Sequence, residues 1–331
     1  MPTYYKGNEV DTTTKDTLTG ELLNKIVKQE IDSKVFNDVF SIFTSNTIDV
    51  GNQIEEFEVG NITSTDFDPT GAKVLEKAKM DFKVLYHKIN REKTFKATTS
   101  NKQISKAMLS KENMATVASA IANELWNSSS IEDFEAMKEL LFDICGENKK
   151  MVICDLNGNG SNMDALTKAI QTVATNMTFP STHYNYSGFK KEFNKMEDLV
   201  LIVDSATKAR LNVESLSNAF NVDKKTLVSN MIVIDTLPNI TYTDLKATKG
   251  VELDIGEQNL ITTYKSAATG SETVNGKAIA LLVSKKAIKR DIIEREIEDQ
   301  RNAGGRFTNH FLHATDLLSY STLRNAVVLV D

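Results

Sequence analysis

The densest hydrophobic patterning lies in residues 197–238, where strand, helix and strand signals follow one another. Leu199, Val200, Leu201, Ile202 and Val203 are consecutive apolar residues, the pattern of a strand buried on both faces. Asp204 and Ser205 can cap the segment that follows. There Ala206, Ala209, Val213, Leu216 and Phe220 keep helical spacing only in part, which predicts helical segments with a break near Leu211. Residues 231–234 read as the second strand, and Pro238 ends it because proline offers no backbone donor.

Upstream the pattern changes. Residues 1–20 are polar, Thr-rich and unpatterned, which predicts an arm with no core of its own. In residues 21–43, Leu22, Leu23, Ile26, Val27, Ile31, Val35, Val39 and Phe43 form a helical stripe that needs a partner surface. Residues 47–96 carry Ile48, Val50, Ile54, Phe57 and Val59 among acids and amides, then an alternating run from Phe82, with a turn-rich segment holding Pro69 and Gly71 between them. This predicts a long two-stranded excursion, too thin to be stable without neighbours. Ile104, Ala107, Met108, Met114, Val117, Ala118, Ile121 and Leu125 then mark a long helix over residues 101–127, with Trp126 as an anchor. A break at residues 128–130 is predicted, with Ser130 and Asp133 opening a second helix that carries Phe134, Met137, Leu140, Leu141 and Ile144.

Residues 151–154 read as a strand, and Ser161 with Asp164 as the cap of a helix whose buried face is Leu166, Ile170, Val173 and Ala174. Residues 183–189 form a turn-rich aromatic loop. Short strands are expected near 251–255 and 260–264, and a buried one at 279–283. The charged run 288–300 suits a helix, whereas Ala303, Gly304 and Gly305 suit a hairpin turn between two long strands. Residues 327–330 supply a final strand. No repeat, low-complexity block or linker divides the chain.

With 331 residues, 40% hydrophobic and 25% charged, the composition is that of an ordinary globular protein, and the strand and helix signals above make its class α+β. The net charge of -6 and the interspersed signs argue against a polycation built to neutralise nucleic-acid phosphates. Cys145 and Cys154 read as buried thiols, and no segment has the apolar length of a signal peptide or membrane span, so a cytosol-like compartment is expected. The loop from Asp155 to Leu166 has Gly158 and Gly160 of a dinucleotide loop, but Met163 in the third glycine's place and no acid between Asp164 and Glu192 for a ribose. As a calcium loop it has Asp155, Asn157, Asn159 and Gly160, but Leu166 where a bidentate glutamate is needed. A plain turn is expected. His310 and His313 have the spacing of a helical metal pair, with no Cys or carboxylate pattern to complete a zinc set, so strand or loop histidines with structural hydrogen bonds are expected. His87 and His183 are the remaining histidines, and no G-x-S-x-G elbow supports a serine nucleophile. No catalytic residue, cofactor or metal ligand is assigned, and an enzyme is not expected.

The order of parts resembles a known family. Residues 197–221 with 231–238, and residues 301–330, are similar to the axial domain and C-terminal elements of the major capsid protein of tailed bacteriophages, the Hong Kong 97-type capsid fold. The resemblance implies an N-terminal arm and helix (1–50), an extended β loop (51–100), a peripheral domain with the spine helix (101–147), an α/β axial domain (148–275) and returning peripheral strands with a C-terminal strand (276–331). It implies a shell around double-stranded DNA, built from hexamers and pentamers of the chain itself, in a virion assembled in the host cytoplasm. The partners implied are a separate scaffolding protein, a portal, decoration proteins and non-specific contact with packaged DNA, with no membrane. No long charged helical extension precedes the arm, so scaffolding is expected on another protein or on a segment that is removed. Some family members cross-link a lysine of the extended loop to a neighbour's asparagine; Lys73 and Lys77 lie in that region, but no asparagine or catalytic acid matches. Asp66, Phe67, Asp68, Lys73 and Lys77 are expected at the loop tip, touching an adjacent subunit. The alternatives are an encapsulin-like compartment shell, a tail-tube or other virion protein, and a nucleotide- or metal-binding enzyme using the loop 155–166.

Overall fold

The structure, a computed structural model, describes residues 3–5, 8–10, 36–45, 53–71, 76–100, 111–147, 150–156, 160–211, 230–242, 250–254, 261–265 and 274–331. The first half contains strands β1 (Thr3–Tyr5), β2 (Asn8–Val10), β3 (Thr44–Ser45), β4 (Gln53–Val59), β5 (Phe82–Lys88) and β6 (Arg91–Ser100), the helix α1 (Lys111–Phe142), β7 (Val152–Asp155) and α2 (Met163–Asn176). The second contains β8 (Leu199–Asp204), α3 (Ser205–Arg210), β9 (Met231–Ile234), β10 (Asn239–Tyr242), β11 (Gly250–Asp254), β12 (Ile261–Lys265), β13 (Val274–Ser284), β14 (Ile288–Asn302), β15 (Phe307–Tyr320) and β16 (Ala326–Val330). The chain divides into two compact units: Met1–Asn37 with Glu92–Asp133 and Glu294–Ala314, and Asp38–Arg91 with Phe134–Ile293 and Thr315–Asp331.

The larger unit is built on an eight-stranded sheet in the order β12-β11-β7-β16-β13-β8-β9, with β10 paired to β13. β8 runs parallel to β9 and β16 parallel to β7, while β13 is antiparallel to both β8 and β16. The middle strands are apolar at successive positions because each face of the sheet carries its own core. Val200 and Ile202 enter one core and Leu199, Leu201 and Val203 the other; Val328 and Val330 part from Val327 and Leu329 in the same way. Met137, Leu141 and Ile144 cover the first face together with Phe40 and Phe43, and Leu166, Ile170 and Val173 of α2 cover the second. The two strands and the first helical segment lie where the pattern puts them, while Val213, Leu216 and Phe220 lie outside the described residues. Asp204 accepts the Thr207 amide at 2.7 Å, and α3 ends at Arg210, before an extended Leu211.

Several expectations change. Of the helix expected over residues 21–43, residues 21–35 lie outside the described residues, and Val39–Phe43 is a 3₁₀ turn capped by Asp38. Three residues per turn bring Phe40 and Phe43 to one side, where both are buried, and leave Val39 exposed. Residues 101–110 also lie outside the described residues. α1 continues through Ser128 to Ser130 without a break, because Ser130 Oγ donates to the Trp126 carbonyl at 3.1 Å within the helix instead of capping a new one. Asp133, expected in that cap, pairs with Arg295 at 3.0 Å, and Trp126 is exposed. α2 is capped by Asn162, not Ser161: its side chain accepts from the amides of Asp164 and Ala165.

Residues 288–300 are strand throughout, because β14 pairs with β15 in a sheet of order β3-β14-β15-β6, with β3 reaching only Arg290 and Asp291, and strand pairing overrides an ambiguous local pattern. In the smaller unit β14 and β15 meet at a turn in which Asn302 Oδ1 accepts the Gly305 amide at 2.8 Å. The positive φ of 54° falls on Arg306, just past the glycine pair. His310 bonds Asp299 at 2.6 Å and Thr99 at 2.9 Å, and His313 bonds Thr94 at 3.1 Å. Three apart on a strand, the two rings point to opposite faces, so they do not share a ligand.

Candidate functional site

β4 and β5 pair antiparallel from Gln53↔Lys88 to Val59↔Phe82, and the Gly60 amide extends the ribbon by donating to the Asp81 carbonyl at 2.8 Å. Strand alternation gives the ribbon two unlike faces. Ile54, Glu56 and Glu58 face the body of the larger unit, with Glu56 buried; Glu55 and Phe57 face outward, where Phe57 stacks on Phe82 at 5.4 Å with both rings 53% exposed. A two-stranded ribbon is marginal alone, so the inner face decides whether it stays ordered.

That inner face is held by one arginine. The segment between β15 and β16 is tightened by the Ser321 amide donating to the Ala287 carbonyl at 2.7 Å and by the Ser187 amide donating to Thr322 at 3.0 Å, and it projects Arg324 under the ribbon. Arg324 meets Glu56 at 2.8 Å, Glu58 at 2.5 Å and Glu192 at 3.5 Å. Further contacts surround this centre. His87 Nε2 lies 3.1 Å from Glu56 with its Nδ1 2.7 Å from Ser319 Oγ, Lys190 pairs with Glu58 at 2.9 Å, and Lys289 is 3.9 Å from Glu56. Glu192 is fixed through its backbone, which exchanges hydrogen bonds with Ser181 at 2.9 and 3.0 Å. The aromatic loop expected at 183–189 serves as the docking platform: Ser187 Oγ accepts from Lys83 at 2.6 Å, and nearby the Lys191 amide donates to Asn61 at 2.6 Å.

The three carboxylates respond differently to this setting. Burial pushes Glu56 up, but hydrogen bonds with His87 and Ser321 and the charges of Lys289 and Arg324 outweigh it and hold the group at about 2. Glu58 is likewise held below the usual range, its burial opposed by Lys190 and Arg324. For Glu192 burial wins over Arg324 and, with the charge of Glu58 added, lifts it to about 7. Its Oε2 is buried with no hydrogen-bond partner among the described residues.

At the far end of the ribbon, Phe67 is 89% exposed and Ile62 76%. Asp66 and Lys77 are exposed and Asp68 is half-buried; Lys73 lies outside the described residues. Asp68 Oδ1 accepts from the Thr70 amide at 2.9 Å and its hydroxyl at 2.6 Å, a turn completed by Gly71 at φ 70°. The structure therefore places the exposed Asp66 and Phe67 immediately before the turn that Asp68 opens.

Residues 157–159 of the glycine loop lie outside the described residues. Gly160 donates to Asp331 Oδ1 at 2.7 Å, and a Cβ there would come within 2.1 Å of Ile279, so close packing against the chain end accounts for the glycine. Among the described residues no group of three or more His, Cys, Asp or Glu side chains can hold a metal. Cys145 and Cys154 are buried free thiols, and burial together with Asp155 pushes Cys154 up to about 12. Neither millimolar calcium nor a nicotinamide dinucleotide is expected to shift Tm, since a ligand bound only by the native state must raise it. A saturable rise in differential scanning fluorimetry with either would revive the binding reading of the loop.

Sequence reasoning missed Arg324, Glu192 and the inward role of Glu56 and Glu58. The available signal was phase: Glu56 and Glu58 share the pleat of Ile54, so the strand's acids cannot all face solvent.

A family model of the Phi29-like phage major capsid protein matches residues 6–330. The chain is 25% identical over 328 residues to the major capsid protein of Bacillus phage GA-1, covering 97% of this chain but 62% of that protein. It is 22% identical over 319 residues to the major capsid protein of Streptococcus phage Cp-1, covering 92% of this chain and 80% of that one. Its fold matches a chain of the capsid of Staphylococcus phage Andhra with a TM-score of 0.69 at 12% identity, over 99% of this chain and 90% of the other.

Proposed function

Since the chain belongs to the Phi29-like phage major capsid protein family, we propose that it is a structural subunit that self-assembles into the shell of a phage head. The carrying observation is that the family model spans nearly the whole chain, while the chain covers less than two thirds of the GA-1 relative. In this reading the fold is of the Hong Kong 97 type. The segment 1–50 is the arm, the ribbon within 51–100 the extended loop, α1 the spine of a peripheral domain, 148–275 the axial domain, and 276–331 the returning strands.

The subunit's main partner is itself, in hexamers and pentamers. A scaffolding protein, a portal, decoration proteins and the packaged DNA complete the list of partners, and assembly takes place in the host cytoplasm. Asp66, Phe67, Asp68 and Lys77, with Lys73 beyond the described residues, form the contact that the loop tip makes with an adjacent subunit. The exposed aromatic just before a pre-formed turn supports this, because exposed aromatics are enriched at the centres of interfaces. Negative-stain electron microscopy of the purified chain, with and without co-expressed scaffolding protein, tests the reading. Closed shells are expected, and only monomers or open rings under both conditions would overturn it.

A further inference from the structure

We propose that the Arg324 clamp is a proton-operated latch on the ribbon, closed while Glu192 carries a proton and loosened when it is charged. Arg324 is divided among carboxylates from two parts of the larger unit: Glu56 and Glu58 belong to the ribbon, Glu192 to the platform beneath it. Each ribbon acid has a second cation, Lys289 for Glu56 and Lys190 for Glu58. Glu192 has the longest of the three contacts to the guanidinium and, besides it, a backbone hydrogen bond from Asn325, while its second oxygen is buried without a partner among the described residues. A buried carboxylate oxygen lacking a donor favours the protonated form.

Charging Glu192 changes the balance at one point. It brings a third anion to a guanidinium already engaged by two, and it faces Glu58, whose charge opposes its own. The ribbon is then held less firmly, because Glu56 and Glu58 are the ribbon's two acids on that guanidinium. The other titratable and charged groups nearby are Lys190 on the platform, the Tyr320 phenol of β15, and Lys191, Lys285, Lys286 and Asp198 around an adjoining cavity of about 240 Å³. That cavity gives water and protons access to Glu192. His87 of β5 lies on the far side of Glu56, outside the direct contact with Glu192. The latch is a property of a single subunit and stands or falls separately from shell formation.

Hydrogen-deuterium exchange on the full chain, kept below its assembly concentration and corrected for intrinsic exchange at each pH, tests it. Amides of β4 and β5 are expected to lose about tenfold in protection between pH 6 and pH 8.5, the ratio that linkage gives when one carboxyl binds its proton up to neutral pH in the closed form only. Amides of β8, buried in the sheet, serve as the unchanged reference. Glu192→Gln, which mimics the protonated group, is expected to keep ribbon protection at its low-pH level across the range. Equal wild-type protection at pH 6 and pH 8.5 overturns the proposal even if the variant does not fold. A folded Glu192→Gln chain that keeps the wild-type pH dependence also overturns it.

Discussion

Replacing Arg324 by alanine is expected to destabilise the larger unit by about 3 to 5 kcal/mol, because it strands three mostly buried carboxylates that share one guanidinium. Lys190, Lys289 and His87 remain, but none reaches all three acids. Arg324→Lys is expected to recover only part of the loss, since a single ammonium cannot reproduce the forked contacts to Glu56 and Glu58. Thermal unfolding by circular dichroism should show a fall in Tm of about 5 to 10 °C for the alanine variant. A fall of less than a degree would mean that the acids find other partners and that no clamp exists.

The same cluster dictates how stability depends on pH, and its two deepest acids act in opposite directions. Glu56, with its folded value lowered from 4.5 to about 2, contributes stability that is present above 4.5 and is lost as pH falls toward 2. Glu192, raised from 4.5 to about 7, contributes stability that is fully present below 4.5 and is lost as pH rises through 7. Each shift amounts to about 3 kcal/mol at its limit. The cluster therefore supports the fold best on the acid side of neutrality. In a Tm series, Glu192→Gln should flatten the limb between pH 5 and pH 8 and leave the acid limb in place.

How much of this was legible depended on whether the deciding contact was local. The β8-α3-β9 unit could be read because Leu199 to Val203 of β8 are all apolar and the Asp204 cap lies beside the helix it starts. The hairpin turn at 303–306 was legible from its glycines, although the left-handed residue proved to be Arg306. Ser128 to Ser130 misled because serine, a common helix cap, can also bond back to the preceding turn. Residues 288–300 were open because their charges suit an exposed helix as well as a strand that is buried only at its start, and the glycine turn after them pointed to the long strand that forms. The clamp was hidden for another reason. Glu56, Glu192 and Arg324 come from distant parts of the chain; the two acids sit in charged stretches that read as solvated surface, and Arg324 is a lone charge between Asp316 and Asp331. Phe67 was the reverse case: a lone aromatic among acids, in a segment too small to bury it, is exposed in the structure as its surroundings implied.

Phe67→Ala is expected to abolish shell assembly, or leave shells fragile, with the subunit itself unaffected. The ring is almost wholly exposed, so removing it takes nothing from the subunit's own core, and monomer circular dichroism and Tm should not change. The turn that follows it is already built, with Asp68 fixing Thr70 by two hydrogen bonds, which lowers the ordering cost of the loop on contact with a neighbour. An aromatic anchor of this kind is worth about 1 to 3 kcal/mol in each contact. A closed shell repeats the contact in every subunit, so a modest loss per contact compounds into a large loss for the assembled particle. Asp66 and Lys77 are exposed acid and base of the same loop, and exchanging their signs in a double variant tests whether they set the register of the contact. Sedimentation and electron microscopy at matched protein concentration provide the measurement. If Phe67→Ala shells form at the parental concentration and survive the parental heating, the loop tip is not an assembly contact, and the outward ring pair Phe57 and Phe82 becomes the next surface to substitute.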